Sequence, residues 1–267
     1  MANVHRFRLV MPIRYHCILI DHDDTAVDST AVIHYPAHLE ALRTLRPRYA
    51  PPSIEQWLVR NFHGIMEYLV GELHLTEAEL RTEFEIWRSW TTRRVPPFFP
   101  GFLDLLADYR REGGFVAVIS HSERDIIERH YRAAQDPPFL PDLIFGWEHD
   151  EERRKPSPWP VREALRKFGC SPSESLIVDD LKPGVLMSRA TGVPFAAAGW
   201  SHRVLEIETY MRAHSVAYCR RYVWPVKSRG MPMDMRNESS GRASTSRTQA
   251  FRSARVNGRR SPVRGSR

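Results

Sequence analysis

A run of four apolar residues, Cys17-Ile18-Leu19-Ile20, stops abruptly at Asp21-His22-Asp23-Asp24-Thr25, with Asp28 and Ser29 close behind. No other feature constrains the fold of this chain as strongly. Four apolar residues bounded by acidic ones predict a buried strand, and in open α/β sheets the carboxyl end of such a strand faces the crevice that holds the chemistry. Asp21 and Asp23 are separated by one residue, so both reach that crevice. Crowded carboxylates repel unless a proton or a cation lies between them. A hard, oxygen-seeking cation such as Mg²⁺, with phosphate oxygens completing its shell, is the usual solution. An aspartate can also attack phosphorus and form an acyl-phosphate. The competing reading of this segment alone is a solvated acidic turn.

The 267 residues suffice for a full core in one or two domains. A net charge of +7 suggests nucleic acid until it is located: residues 225–267 hold eleven Lys/Arg and two Asp/Glu, a local net of +9 that leaves −2 for the 224 residues before them. This tail of Arg, Ser, Gly and Pro lacks the apolar pattern needed to offset its ordering entropy, so it is expected to be disordered. Weak, salt-sensitive and non-specific binding of polyanions is the partner chemistry it predicts. Cys17, Cys170 and Cys219 have no metal-ligand spacing and read as reduced thiols. No stretch approaches the roughly 18 apolar residues of a membrane span. Cytoplasm is the expected location; residues 1–16, with Arg6, Arg8 and Arg14 and no acid, only faintly resemble an organelle transit segment.

After Ser29 the strand signals give way to helical ones. Ser53 with Gln56, and Thr76 with Glu79, read as capping boxes opening two helices. Leu80, Phe84 and Trp87 share one face of the second, and a core role is the expectation for Trp87 and Trp90, with a ligand pocket as the alternative. Residues 31–95 thus predict a small helical unit inserted after the first strand. Pro100-Gly101 opens an amphipathic helix that Gly113-Gly114 closes. Then come further apolar runs at 115–119, 143–145, 176–178 and 195–198. Strands alternating with helices define an α/β doubly wound parallel sheet.

Three more polar groups stand at or beyond strand ends. Ser120 could hold phosphate oxygens together with the amides of the next helix; in the alternative reading Ser122 caps that helix and Ser120 is incidental. Lys155, held extended by Pro156, could project its ammonium into the crevice, or could belong to a solvated basic face. Asp179-Asp180 follows Leu176-Ile177-Val178 and supplies the further carboxylates that a divalent cation sandwiched against Asp21 would require.

Together these residues resemble the haloacid dehalogenase (HAD) superfamily, in particular its capped phosphatases of the phosphoglycolate phosphatase and β-phosphoglucomutase kind. The motifs stand here as DHDDTAVDS, FFPGFLDLLADYRREGGFVAVISHS, RKPSPWP and SLIVDDLKPGVLMSRATGVPFAAAGW. The resemblance implies a Rossmann-like core built from residues 1–29 and 97–224 and a helical cap at 30–96. It also implies a phosphoric monoester hydrolase acting on a small phosphorylated metabolite with Mg²⁺. It assigns Asp21 as nucleophile and Asp23 as general acid/base, gives Ser120 a phosphate oxygen, and has Lys155 balance charge. Asp180 would bind the metal with Asp179 assisting, along with the Asp21 carboxylate and the Asp23 backbone carbonyl.

Three positions depart from the pattern: Asp24 where Gly is common, His121 where Asn is usual, and Gly184 where many members carry another acid. Asp23 argues against the dehalogenase branch. With only Lys155, Lys167, Lys182 and Lys227 in the chain, no cap lysine is available for phosphonate cleavage. A sugar-phosphate mutase of the same fold and a catalytically weakened binding or regulatory protein are the alternative readings.

Overall fold

All four residues of β1 (Cys17–Ile20) are buried, and so are the last four of β2 (Phe115–Ile119), as expected of strands covered on both faces. In the computed structural model, which describes residues 13–147 and 150–221, these strands are neighbours inside a parallel sheet. The basic segment from residue 225 falls outside the described residues, and its expected disorder and polyanion binding with it. The other strands are β3 (Leu143–Phe145), β4 (Ser175–Asp179), β5 (Phe195–Ala198) and β6 (Ala217–Cys219). Their order is β3-β2-β1-β4-β5-β6. Ile20 of β1 registers with Val118 on one side and Val178 on the other. Strand order therefore reverses at β1 and β4, where doubly wound sheets place their ligand crevice.

Alternation along each strand divides the core into two layers. Ile18, Ile20, Val116, Val118 and Val178 pack with Phe102, Leu106 and Tyr131 on one face. Leu19, Ala117, Ile119 and Ile177 pack with Val161, Leu165 and Val185 on the other. The first face is covered by α4 (Phe102–Arg111) and α5 (Arg124–Ala134); the second by α6 (Trp159–Phe168), α7 (Lys182–Thr191) and α8 (Leu205–Ala213). The numbering of α4 to α8 follows three earlier helices: α1 (Tyr35–Leu45), α2 (Ile54–His63) and α3 (Glu77–Arg93). Both capping boxes form as predicted, with Ser53 and Thr76 each accepting from the backbone N–H three residues on.

The helices between β1 and α4 contribute no strand to the sheet. Where the chain leaves β1 and where it returns, the two passes run side by side: Asp28 N–H donates to Pro97 O at 2.9 Å and Phe99 N–H to Ala26 O at 3.1 Å. Two contacts seat the inserted helices on the sheet layer. Arg129 of α5 donates to the carbonyls of Thr92 (2.6 Å) and Arg94 (2.9 Å) at the end of α3, and Arg88 of α3 pairs with Asp125 at 2.9 Å. On the far side His63 of α2 meets Glu206 of α8 at 2.6 Å.

Two expectations need revision. Phe84 is 42% exposed, so the Leu80–Phe84–Trp87 face is only partly covered. Trp87 and Trp90 are half-buried, and each indole N–H has a polar partner, His34 Nδ1 at 3.0 Å and Glu40 Oε2 at 2.7 Å. Their role is therefore more than core filling. No helix among the described residues is long and apolar enough to cross a membrane.

Candidate active site

The predicted site residues gather beyond the carboxyl ends of the strands. The Asp21 N–H continues the β1 ladder by donating to Val178 O at 2.9 Å, which carries its carboxylate just past the sheet edge. Asp179 is the last residue of β4, with Asp180 beyond it. Ser120 follows β2, its N–H bound to Phe145 O at 3.0 Å. Lys155 arrives from the loop after β3 and is buried, not solvated: its Nζ lies 3.1 Å from Asp21 Oδ1 and 2.6 Å from Asp179 Oδ2. One oxygen from each of Asp21, Asp179 and Asp180 lies within 4.8 Å of the others. The Asp23 side chain stays outside that trio.

Asp23 faces a second set of partners. Ser122 Oγ donates to its Oδ2 at 2.6 Å and Ser120 Oγ lies 3.4 Å from the same oxygen. Ser122 therefore does not cap α5; Glu123 takes that position without a side-chain cap bond. The other oxygen, Oδ1, meets His34 Nε2 at 2.9 Å. An indole N–H can only donate, so Trp87 makes His34 Nδ1 an acceptor and leaves the ring proton on Nε2, pointed at Asp23. His34 and Trp87 come from the inserted helical segment; nothing in the sequence singles out His34, and Trp87 reads there as core with a ligand pocket as the alternative.

Two of the sequence departures have local reasons. Asp24 has φ of +52°, in the left-handed region that favours glycine but admits aspartate. Its Oδ1 accepts from the N–H groups of Ser29 (3.2 Å) and Thr30 (2.9 Å), opening the π-helical turn Thr30–His34 that delivers His34. A Cβ added at Gly184 would lie 2.4 Å from Asp179 Cβ. The acid at 179 thus leaves no room for a side chain at 184, and the two are sterically exclusive. His121, the third departure, donates to Lys155 O at 2.8 Å and so braces the loop that carries the lysine.

Charge at the site is unbalanced. Burial pushes the Asp21 carboxyl well above the usual range; Lys155 opposes this and Asp179, Asp180 and Asp23 add to it. Asp180 is pushed up in the same way, by burial and then by Asp179. Burial also works against the Lys155 charge, but Asp179 and Asp21 outweigh it and hold that pKa above the ordinary lysine value. Three buried carboxylates against one ammonium leave an excess of negative charge, and Asp180 Oδ2 accepts no hydrogen bond from any described residue. Oxygen donors with surplus negative charge fit a hard divalent cation such as Mg²⁺. Asp23 shifts the other way: burial favours its neutral form, but His34 and Ser122 overcome this and hold it well below the usual carboxylate range.

Between the two aspartates, His22 turns into the core and shares one proton with His130, Nε2 to Nδ1 at 2.9 Å. Burial lowers His22 to about 4 and His130 to about 3. The unfolded chain takes up these protons near pH 6.5 while the folded chain refuses them, so stability is lost as pH falls from about 6.5 toward 4. The expected cost is about 2 kcal/mol per histidine at pH 5. Denaturant unfolding at pH 7 and pH 5 checks this: His22→Leu/His130→Phe should lose less stability over that interval than the parent chain. Equal losses would contradict the pair's role.

At the switch point of the six-stranded parallel sheet a buried lysine thus stands among three clustered carboxylates. A model of the haloacid dehalogenase-like hydrolases matches residues 18–198, and the chain belongs to that family. The pyrophosphatase PpaX of Bacillus velezensis is 24% identical over 205 residues, covering 70% of this chain and 85% of its own. A PpaX protein of Caldanaerobacter subterraneus is 32% identical over 98 residues, but the match spans 37% of this chain and less than half, 44%, of that relative. Among solved structures, a protein of Bacteroides fragilis described as a haloacid dehalogenase-like hydrolase superposes with a TM-score of 0.61 at 21% identity, over 77% of this chain and 95% of its own. At that identity the likeness speaks for the fold alone.

Proposed function

We propose that the protein is a Mg²⁺-dependent phosphatase that hydrolyses a small phosphate monoester through an aspartyl-phosphate on Asp21. The observation that carries this reading is the Lys155 ammonium bridging the Asp21 and Asp179 carboxylates, with an oxygen of Asp180 close to both and Asp23 nearby on a separate hydrogen-bond network. Asp21, Asp179 and Asp180 would hold Mg²⁺, which when bound neutralises charge on the non-bridging phosphate oxygens. Lys155 screens the same charge, and Ser120 donates to a phosphate oxygen.

Asp21 attacks phosphorus as the ester P–O bond breaks, and the leaving alkoxide takes its proton from Asp23. Asp23, now ionised, removes a proton from water; the water oxygen attacks phosphorus and the bond to Asp21 breaks. Inorganic phosphate leaves, with Asp21 ionised and Asp23 protonated again. Residues 30–96 act as the cap over this chemistry and choose the substrate. The donors from His34 and Ser122 favour the ionised form of Asp23 that activates water, so protonating a leaving group requires the His34 contact to loosen. Because His34 and Trp87 ride on the cap, cap position sets the acidity of Asp23.

That coupling has a sign. Removing the His34 donor destabilises ionised Asp23 and raises its pKa. His34→Ala should therefore move the alkaline limb of kcat/KM to higher pH with an alkyl phosphate, whose leaving group needs the proton. An aryl phosphate with a good leaving group should respond less. A limb that stays in place with both substrates would contradict the assignment. The function itself is tested by a panel of phosphorylated metabolites, with pyrophosphate included because of the PpaX relatives, assayed with Mg²⁺ and with EDTA. Mg²⁺-dependent release of phosphate from at least one small ester is expected; no turnover across the panel would favour a binding protein.

A further inference from the structure

Asp180 is bracketed on both sides. Thr25 Oγ1 approaches its Oδ1 at 3.3 Å, and Thr25 is itself tied to the loop after β5 by Trp200, whose indole N–H donates to Thr25 O at 3.1 Å. Two residues further along that loop, His202 turns inward. Its side chain is 8% exposed and its Nε2 lies 3.5 Å from Asp180 Oδ2, on a carboxylate only 2% exposed. Neither ring nitrogen of His202 has a hydrogen-bond partner among the described residues, and neither does Asp180 Oδ2. Buried polar atoms left unpaired cost on the order of 1–3 kcal/mol each, so an unpaired donor facing an unpaired acceptor implies an arrangement completed when the site is loaded. The imidazole stands outside the trio of carboxylates whose oxygens converge, so it does not itself join them as a ligand.

We infer that His202 is a positioning residue for the divalent cation held by Asp180: its ring N–H pairs with Asp180 Oδ2 and, with Thr25 on Oδ1, fixes the orientation in which this carboxylate ligates. The inference rests on the metal reading given above and names a residue that neither the motif pattern nor the strand ends indicated. Partners behind a ligating carboxylate typically contribute 10- to 100-fold in metal affinity.

Calorimetric titration of the cation-free full-length chain with Mn²⁺ and with Mg²⁺ tests it. His202→Ala should weaken binding by about 10-fold or more, and His202→Gln, which keeps an N–H donor, should recover most of that loss. The melting temperature of the cation-free protein should change little, while the rise produced by saturating Mn²⁺ should shrink in His202→Ala. A merely structural histidine would give the reverse pattern. Should His202→Ala fail to fold, His202→Phe, which keeps a ring and lacks the donor, is read in its place. If the parent chain binds Mn²⁺ and the variant binds it within about twofold, the role of His202 is overturned while the metal reading stands. If the parent chain takes up neither cation, the metal reading falls and this inference with it.

Discussion

Asp21→Asn is expected to abolish phosphate ester hydrolysis, with a loss of at least ~10⁴-fold, on the scale seen when a covalent nucleophile is removed. The amide cannot form an acyl-phosphate, and no other carboxylate stands at the end of β1 facing Lys155. Folding should survive. Burial and the neighbouring carboxylates push the Asp21 carboxyl upward, so a neutral isostere relieves repulsion, and Lys155 keeps Asp179 at 2.6 Å. The variant should melt at the parent temperature or slightly above it. Asp23→Asn should be milder, about 10²-fold, since it removes proton transfer but leaves the nucleophile in place. Appreciable turnover by Asp21→Asn in a preparation free of contaminating phosphatase would remove the basis of the account.

Metal removal should have an effect of comparable size. EDTA should eliminate turnover and Mg²⁺ restore it, while Ca²⁺ should bind and support little, because its larger and looser shell misplaces the phosphoryl group. The two acids of β4 should not be equivalent. Asp179 is held by the Leu181 N–H at 2.9 Å on Oδ1 and by the Lys155 ammonium at 2.6 Å on Oδ2, a full cation that competes with a metal for the same oxygen, whereas Asp180 faces only the uncharged donors of Thr25 and His202. Asp180→Ala should therefore raise the Mg²⁺ concentration needed for half-maximal rate more than Asp179→Ala does. The opposite order would mean that Asp179 is the principal ligand.

Much of this arrangement is legible in the sequence because parallel strands buried on both faces leave a simple mark: a short apolar run with a polar residue at its carboxyl end. β1, β2 and β4 carry the whole mark, and β3 and β5 carry the apolar run with a glycine after it. β6 carries neither, being three residues long, half-buried, and followed by Arg220 and Arg221. Asp21, Ser120 and Asp179 are legible for the same reason as the strands that carry them. Residues that reach the site from elsewhere leave no such mark. His34 lies thirteen residues beyond Asp21, at the end of a π-helical turn whose extra residue per turn breaks the 3.6-residue periodicity. Trp87 sits on a helix face that reads as core, and only the partner of its indole N–H reveals another role. Ser122, three residues before Asp125, looks like a helix cap until its hydroxyl is found on Asp23. Gly184 looks like a missing acid until the Asp179 side chain is found against it.

The covalent bond proposed between Asp21 and phosphorus can be observed directly. Acid quenching during turnover of a radiolabelled phosphate monoester, followed by peptide mapping and borohydride reduction, reports where the phosphoryl group resides. In Asp23→Asn, where release of the intermediate is slowed, the label should accumulate on the peptide containing Asp21, and reduction should convert that residue to homoserine. Turnover with no trapped label, or label on any other residue, would contradict the account.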